Sequence, residues 1–308
     1  MTTNNFDTRI VSTIEELSNP ESYKLVCHEH LKGEPLPSNK NIARIIELVR
    51  EILFPGYFAN TTLREGTTKH YMGVYVDELC TLLSGEILAG MCFECEDDTT
   101  NKISKHTARA EEKTVELVEF LPELRSLLVK DVEATFINDP AAKNFGEVIF
   151  SYPGIRAITN YRLAHKLLQL QVPLIPRIIA EMAHSETGID IHPRAQIGES
   201  FTIDHGTGVV IGSTCILGNN VKIYQGVTLG AKSFPVDENG NPIKGIPRHP
   251  IVEDDVVIYA GATILGRVTI GKGSVIGGNV WVTKDLPANS FVVQKRAKDL
   301  PYTDGAGI

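Results

Sequence analysis

Aliphatic or small apolar residues recur at every sixth position in the C-terminal part of the chain: Ile191, Ile197, Ile203, Val209, Cys215, Val221 and Val227. The count breaks over Ala231 to Pro247. It resumes one step out of phase with Val252, Ile258, Ile264, Ile270, Ile276 and Val282. A fixed short period of this kind winds a chain into a parallel β-helix. Each coil has three flat faces and each face is one short strand. One aliphatic side chain per face points inward and stacks on its equivalents above and below. Glycines such as Gly198, Gly212, Gly218, Gly266, Gly271 and Gly277 suit the corners, where φ can be positive. Short strands paired in an ordinary sandwich would not need two long in-phase runs.

Upstream of Glu186 the period is helical. Asn41 to Leu53 places apolar residues at spacings of three and four, with Ser38 or Asn39 as N-cap and Pro55-Gly56 as the stop. Residues 114–121, 124–136 and 155–168 read the same way, the last begun by Pro153-Gly154. A shorter segment, 175–183, follows Pro173. The expected organisation is an α-helical domain over 1–186, a bundle without a deep pocket of its own, then a β-helix over 187–293 and a tail over 294–308. The interruption at 231–247 contains the turn signals Asn239-Gly240 and Asn241-Pro242, so it projects as a loop, where function usually sits on a rigid scaffold.

Composition narrows the class. A hydrophobic share of 42% and a charged share of 22% suit a globular protein with a sizeable core. A net charge of −8 argues against a nucleic-acid partner. No apolar run is long enough to cross a membrane, and the polar start, MTTNNFDTRIVST, lacks the apolar stretch of a secretory signal. The five cysteines, Cys27, Cys80, Cys92, Cys95 and Cys215, are odd in number and scattered, which points to a reducing, cytoplasmic setting. Cys92 and Cys95 form a lone CxxC. A zinc site there would need two further ligands, and Cys27, His28 and His30 are the candidates.

Chemistry concentrates in the repeat. His205 directly follows Asp204, and Arg248-His249-Pro250 closes the loop. Asp190 lies fifteen positions before His205, near one eighteen-residue coil, which would place the two on neighbouring coils. A carboxylate on one imidazole nitrogen fixes the tautomer and raises the basicity of the other, so an Asp–His pair beside a cleft is a general base for a hydroxyl. The same residues also suit the solvated surface of a solenoid, and periodicity does not choose between the two readings.

The stretches Gly188-Ile-Asp-Ile-His-Pro-Arg-Ala-Gln-Ile-Gly, Ile203-Asp-His-Gly-Thr-Gly-Val-Val-Ile-Gly, Val227-Thr-Leu-Gly and Arg248-His249-Pro250 resemble the serine O-acetyltransferases. Upstream, Asp139-Pro140-Ala141, Tyr152-Pro-Gly-Ile-Arg-Ala and Tyr161-Arg-Leu-Ala-His resemble that family's helical approach, so the likeness runs from about 131 to 293. It implies an α+β fold: an N-terminal α-helical domain followed by a left-handed parallel β-helix of hexapeptide repeats. It implies acetyl transfer from acetyl-CoA to the hydroxyl of L-serine, as a step of cysteine biosynthesis. By match, His205 is the base and Asp190 its orienting partner. Asp139 and Asp204 receive the serine ammonium, Arg248 holds the carboxylate and His249 assists. For CoA the resemblance points to Gly230, Ala231, Lys232, Ala260, Gly278 and Lys284.

The resemblance also implies feedback inhibition by L-cysteine, and a homotrimer or hexamer with the active site between subunits. The C-terminal Ile308 resembles the residue that docks on O-acetylserine sulfhydrylase. No metal is expected. Three other readings use the same residues. One is a hexapeptide acyltransferase for a sugar hydroxyl. Another is a γ-carbonic-anhydrase-like protein holding zinc with His192, His205 and His249. The third is a non-catalytic scaffold for the sulfhydrylase.

Overall fold

The structure is a computed structural model that describes residues 3–26, 35–58, 64, 66–94 and 102–295. Helices come first: α1 Thr3–Leu17, α2 Pro20–Tyr23, α3 Asn39–Leu53, α4 Thr68–Glu94, α5 Lys102–Asn138, α6 Phe145–Ser151, α7 Pro153–Gln169 and α8 Ile175–Thr187. The Ser38 hydroxyl accepts the Asn41 amide at the head of α3, whose Ile42, Ile45, Ile46, Val49 and Ile52 are buried. The segments expected at 114–121 and 124–136 are one helix, α5, which passes through Pro122. Leu117, Leu121, Leu124 and Leu128 form one buried stripe across the proline, and that packing outweighs the missing N–H.

Fourteen short strands follow: β1 Asp190–Ile191, β2 Gln196–Ile197, β3 Thr202–Asp204, β4 Val210–Ile211, β5 Ile216–Leu217, β6 Lys222–Tyr224, β7 Thr228–Gly230, β8 Ile251–Val252, β9 Val257–Ile258, β10 Thr263–Leu265, β11 Thr269–Ile270, β12 Val275–Ile276, β13 Trp281–Val282 and β14 Phe291–Val292. They form three parallel sheets. Face A is β1-β4-β7-β10-β13, face B is β2-β5-β8-β11, and face C is β3-β6-β9-β12-β14. On face A, Ile191, Ile211, Leu229, Ile264 and Val282 stack in register, each buried. Burying each such side chain contributes roughly 1.5–3 kcal/mol.

The register shows an interruption that the six-residue count hides. Ile191 pairs with Ile211 and Ile203 with Ile223, so the first coil takes 20 residues, whereas Ile211 to Leu229 takes 18. Val209, Cys215, Val221 and Val227 are buried, but they sit two positions ahead of the stacked residues Ile211, Leu217, Ile223 and Leu229. The two extra residues lie in the turn 204–208, which contains His205. The loop 231–247 is the second interruption, and together the two leave the count one step out. Asp190 and His205 therefore lie on the same coil, not on neighbouring ones.

Of the six glycines expected at corners with positive φ, only Gly266 has it, at 95°. At Gly198, Gly212, Gly218 and Gly271 the neighbouring chain is too close for a Cβ, and at Gly277 the fit is merely tight. At Gly212 a Cβ would stand 2.1 Å from the His249 ring.

The first coil rests on α5, α7 and α8. Arg162 donates two bonds to Asp131, at 2.7 and 2.8 Å, and a third to the Gly198 carbonyl. Asp131 also accepts the Phe201 amide. Both side chains of this pair are buried. The Tyr161 hydroxyl donates to the Ala195 carbonyl at 2.7 Å. The helical half has a cleft after all, of about 340 Å³, between α3, α7 and α8.

Candidate active site

Two edges of the β-helix carry the chemistry-bearing residues. The first, edge CA, is where the chain turns from face C to face A. Asp204 ends β3 and His205 follows with φ 58°, left-handed for a residue with a Cβ. The His205 side chain is 74% exposed, and its Nε2 lies 3.9 Å from Asp204 Oδ1. Asp190 opens β1 just beyond this turn, tied to it by the Gly208 amide on the Gly188 carbonyl at 2.8 Å. Among the described residues no hydrogen bond joins Asp190 to the His205 ring.

Asp139, just past α5, reaches the same edge. The Tyr152 hydroxyl donates to its Oδ2 at 2.5 Å and the Ala141 amide to its Oδ1 at 2.8 Å. The Tyr152 bond first, then the Ala141 amide, hold the Asp139 carboxyl below the usual carboxylate range, and the charges of Lys222 and His205 act in the same direction. Tyr152 is pushed up to about 12, chiefly by its bond to Asp139, and it also feels the charge of Asp204. Lys222 donates to the Asn138 carbonyl at 2.8 Å, fixing the end of α5 against β6.

The second, edge AB, is where the chain turns from face A to face B. Here Thr214 organises the Arg248-His249 segment. Its hydroxyl accepts the amides of Arg248 and His249, at 2.9 and 3.1 Å. Its own amide and hydroxyl donate to His249 Nδ1, at 3.1 and 2.8 Å. An amide can only donate, so Nδ1 is the acceptor and the ring proton sits on Nε2. Burial, then the charges of Arg248 and Arg267, bring His249 down to about 4. His192 is also about 4, from burial and then the charges of Arg177 and Arg194. Both rings are neutral at pH 7.

A cavity of about 430 Å³ opens on this edge, walled by His192, Thr214 and Arg248 and by the loop residues Phe234, Pro242 and Ile243. Arg248 lies over the Phe234 ring, and its buried Nε has no hydrogen-bond partner among the described residues. A cationic nitrogen placed this way suits a carboxylate.

The CoA candidates divide between the same two edges. Gly230, Ala231, Lys232 and Lys284 lie at or beyond the AB ends of β7 and β13. Ala260 and Gly278 lie at the CA ends of β9 and β12, linked through the Asn279 amide on the Ala260 carbonyl at 2.8 Å. On edge AB, Gly230, Ala231 and Lys232 leave β7 at the same turn that Arg248 and His249 close before β8, while Lys284 lies farther along the axis.

His192 and His249 face edge AB while His205 stands on edge CA, so the three do not converge within the chain. Among the described residues no group of three His, Cys, Asp or Glu is placed to hold a metal. Cys92 is buried in α4, whereas Cys27, His28, His30 and Cys95 lie outside the described residues, as does Ile308. Tyr152, Thr214 and Lys222 were not singled out by the sequence. Each is a common residue whose role depends on a contact between distant segments. Only Tyr152, inside the quoted Tyr152-Pro-Gly-Ile-Arg-Ala stretch, carried any signal.

A stacked-repeat scaffold with a histidine turn on one edge and an Arg-His pair on another is the architecture of a hexapeptide-repeat transferase. The family model described as bacterial transferase hexapeptide (six repeats) matches residues 249–284. A relative from Synechococcus elongatus named serine acetyltransferase, plasmid, is 48% identical over 97% of this chain and 94% of that protein. Among solved structures, serine acetyltransferase isoform 3 from Entamoeba histolytica, in complex with cysteine, is 32% identical with a TM-score of 0.70, covering 92% of each chain. Soybean serine acetyltransferase, complexed with serine, is 27% identical with a TM-score of 0.54, covering 85% of this chain and 99% of that one. The chain belongs to the serine acetyltransferase family and is an acyltransferase. This sets aside the sugar, zinc and scaffold readings. No helix among the described residues is long and apolar enough to cross a membrane.

Proposed function

We propose that this enzyme transfers the acetyl group of acetyl-CoA to the side-chain hydroxyl of L-serine, giving O-acetyl-L-serine and CoA as a step of cysteine biosynthesis in the cytoplasm. The observation that carries this reading is the 48% identity to a serine acetyltransferase over nearly the whole chain. The distribution of charge on the two edges supports it. Serine is a zwitterion, and edge CA offers two acids, Asp139 and Asp204, while edge AB offers the Arg248 guanidinium, whose Nε has no hydrogen-bond partner among the described residues.

His205 removes the proton from the serine hydroxyl as the oxygen attacks the thioester carbonyl. Asp190 orients the ring, which is exposed enough to turn toward it. The neutral His249, with its proton on Nε2, is a donor suited to the oxyanion of the tetrahedral intermediate. Collapse of the intermediate breaks the C–S bond, and the proton on His205 goes to the departing thiolate. Gly230, Ala231 and Lys232 on edge AB and Ala260 and Gly278 on edge CA leave room for the extended arm of CoA, and Lys232 and Lys284 are placed to meet its phosphates.

Both sets of candidates are split between edges separated by the width of face A. In this reading one copy's edge CA meets another copy's edge AB. A closed ring of three pairs each edge CA with an edge AB, and the helical halves could join two rings into a hexamer. L-cysteine, a near-isostere of serine, would compete at the same place, and Ile308 would anchor O-acetylserine sulfhydrylase.

The test is release of CoA from acetyl-CoA with L-serine, compared with homoserine, threonine and sugars, with L-cysteine as competitor. Serine is expected to be the preferred acceptor. His205→Ala is expected to lose about 10²–10⁴-fold in kcat. A His205→Ala enzyme that keeps wild-type turnover ends the general-base assignment.

A further inference from the structure

The cleft between α3, α7 and α8 has no part in the reaction described above. Arg156 and Asn160 stand one turn apart on α7 and line it together with Glu47 of α3 and Glu186 of α8. Glu186 accepts from Arg156 Nε and Glu47 from Nη2, both at 2.7 Å. The remaining nitrogen, Nη1, is buried and has no partner among the described residues. Asn160 is 1% exposed, and neither its amide nitrogen nor its amide oxygen has a partner among the described residues. Leaving such groups buried without hydrogen bonds is unfavourable, so a ligand that supplies the missing partners is favoured there. Ala43, Ile46 and Met182 supply an apolar wall. The fourth charged lining residue, Arg44, is engaged by Glu51 and Glu78.

We propose that this cleft is a second amino-acid site, separate from the serine site, that takes an aliphatic L-α-amino acid. Its carboxylate would accept from Arg156 Nη1 and the Asn160 amide. Its ammonium would donate to Glu47 and Glu186, and its side chain would lie on Ala43, Ile46 and Met182. The four charged residues lining the cleft cancel formally, which favours a zwitterion over an anion or a cation. The volume of about 340 Å³ is ample for an amino acid of leucine's size.

The experiment is calorimetric titration of the full-length protein with L-leucine, L-valine and L-methionine, without acetyl-CoA and in saturating L-serine. At least one should bind with a Kd on the order of 1 mM or tighter. For leucine, 4-methylpentanoate and isoamylamine, which each lack one charged end, should bind at least about tenfold more weakly. Asn160→Leu, which removes the amide, should abolish binding and leave serine acetylation intact. Should that variant not fold, Glu47→Gln at a partly exposed position should weaken binding about tenfold. Absence of binding by all three, loss of binding in saturating serine, or unchanged binding in the variants overturns the proposal. None of these outcomes bears on serine acetylation, which is measured separately.

Discussion

Tyr152 fixes Asp139 beside edge CA through one hydrogen bond. Its hydroxyl is the largest influence holding the Asp139 carboxyl below the usual carboxylate range, and Asp139 is one of the two acids proposed for the serine ammonium. Hydrogen bonds to a charged group contribute about 1.5–3 kcal/mol. Tyr152→Phe removes the bond and lets the Asp139 carboxyl titrate higher. KM for serine should rise roughly tenfold at neutral pH with a smaller change in kcat. Because the carboxyl then protonates sooner on acidification, the rise in KM at low pH should begin at a higher pH than in the wild type. Unchanged KM across the pH range would remove Asp139 from the ammonium site. His205 is one of eight described non-glycine residues with a positive φ. A left-handed residue with a Cβ costs about 1–2 kcal/mol, and it is the histidine assigned as base that takes this conformation at the turn.

The elements show what the sequence could and could not reveal. Periodicity made the repeat legible because stacked aliphatic residues need a fixed spacing, and α3 was legible because one face of it is buried. The two-residue insertion at 204–208 was not legible, since Val209 is buried like a stacked residue and keeps the count apparently unbroken. The motif residues of the site could be read from their order, but not their separation onto two edges, nor the supporting role of Thr214. That residue makes a prediction at this scale. The corner it builds holds His249 and its neighbour His192 near 4, mainly by burial, against about 6.5 in an unfolded chain. Between those values the unfolded chain binds protons that the folded one refuses. The stability these rings contribute is therefore complete above about pH 6.5 and declines as pH falls toward 4. Urea midpoints should drop between about pH 7.5 and about pH 5, and less steeply in His249→Asn, whose amide oxygen can still accept from Thr214. Equal slopes in the two proteins would mean that the corner does not exclude the proton.

At the scale of the whole molecule, the question is how residues a face apart act on one serine. If each site takes His205 and its acids from one copy and Arg248 and His249 from the next, two inactive variants should rescue each other. His205→Ala spoils edge CA and leaves edge AB intact, and Arg248→Ala does the reverse. Each homo-oligomer has only damaged sites. In a mixed ring, an interface that joins the edge CA of an Arg248→Ala copy to the edge AB of a His205→Ala copy is intact. Random mixing in equal amounts makes about one interface in four intact in a closed ring, so co-expressed variants should recover about a quarter of wild-type turnover. Variants purified separately and then mixed should recover it only as fast as subunits exchange. If the site lay within one copy, every site in the mixture would still carry one lesion and no turnover would return. Complementation therefore separates a shared site from a self-contained one without requiring the size of the assembly to be known beforehand.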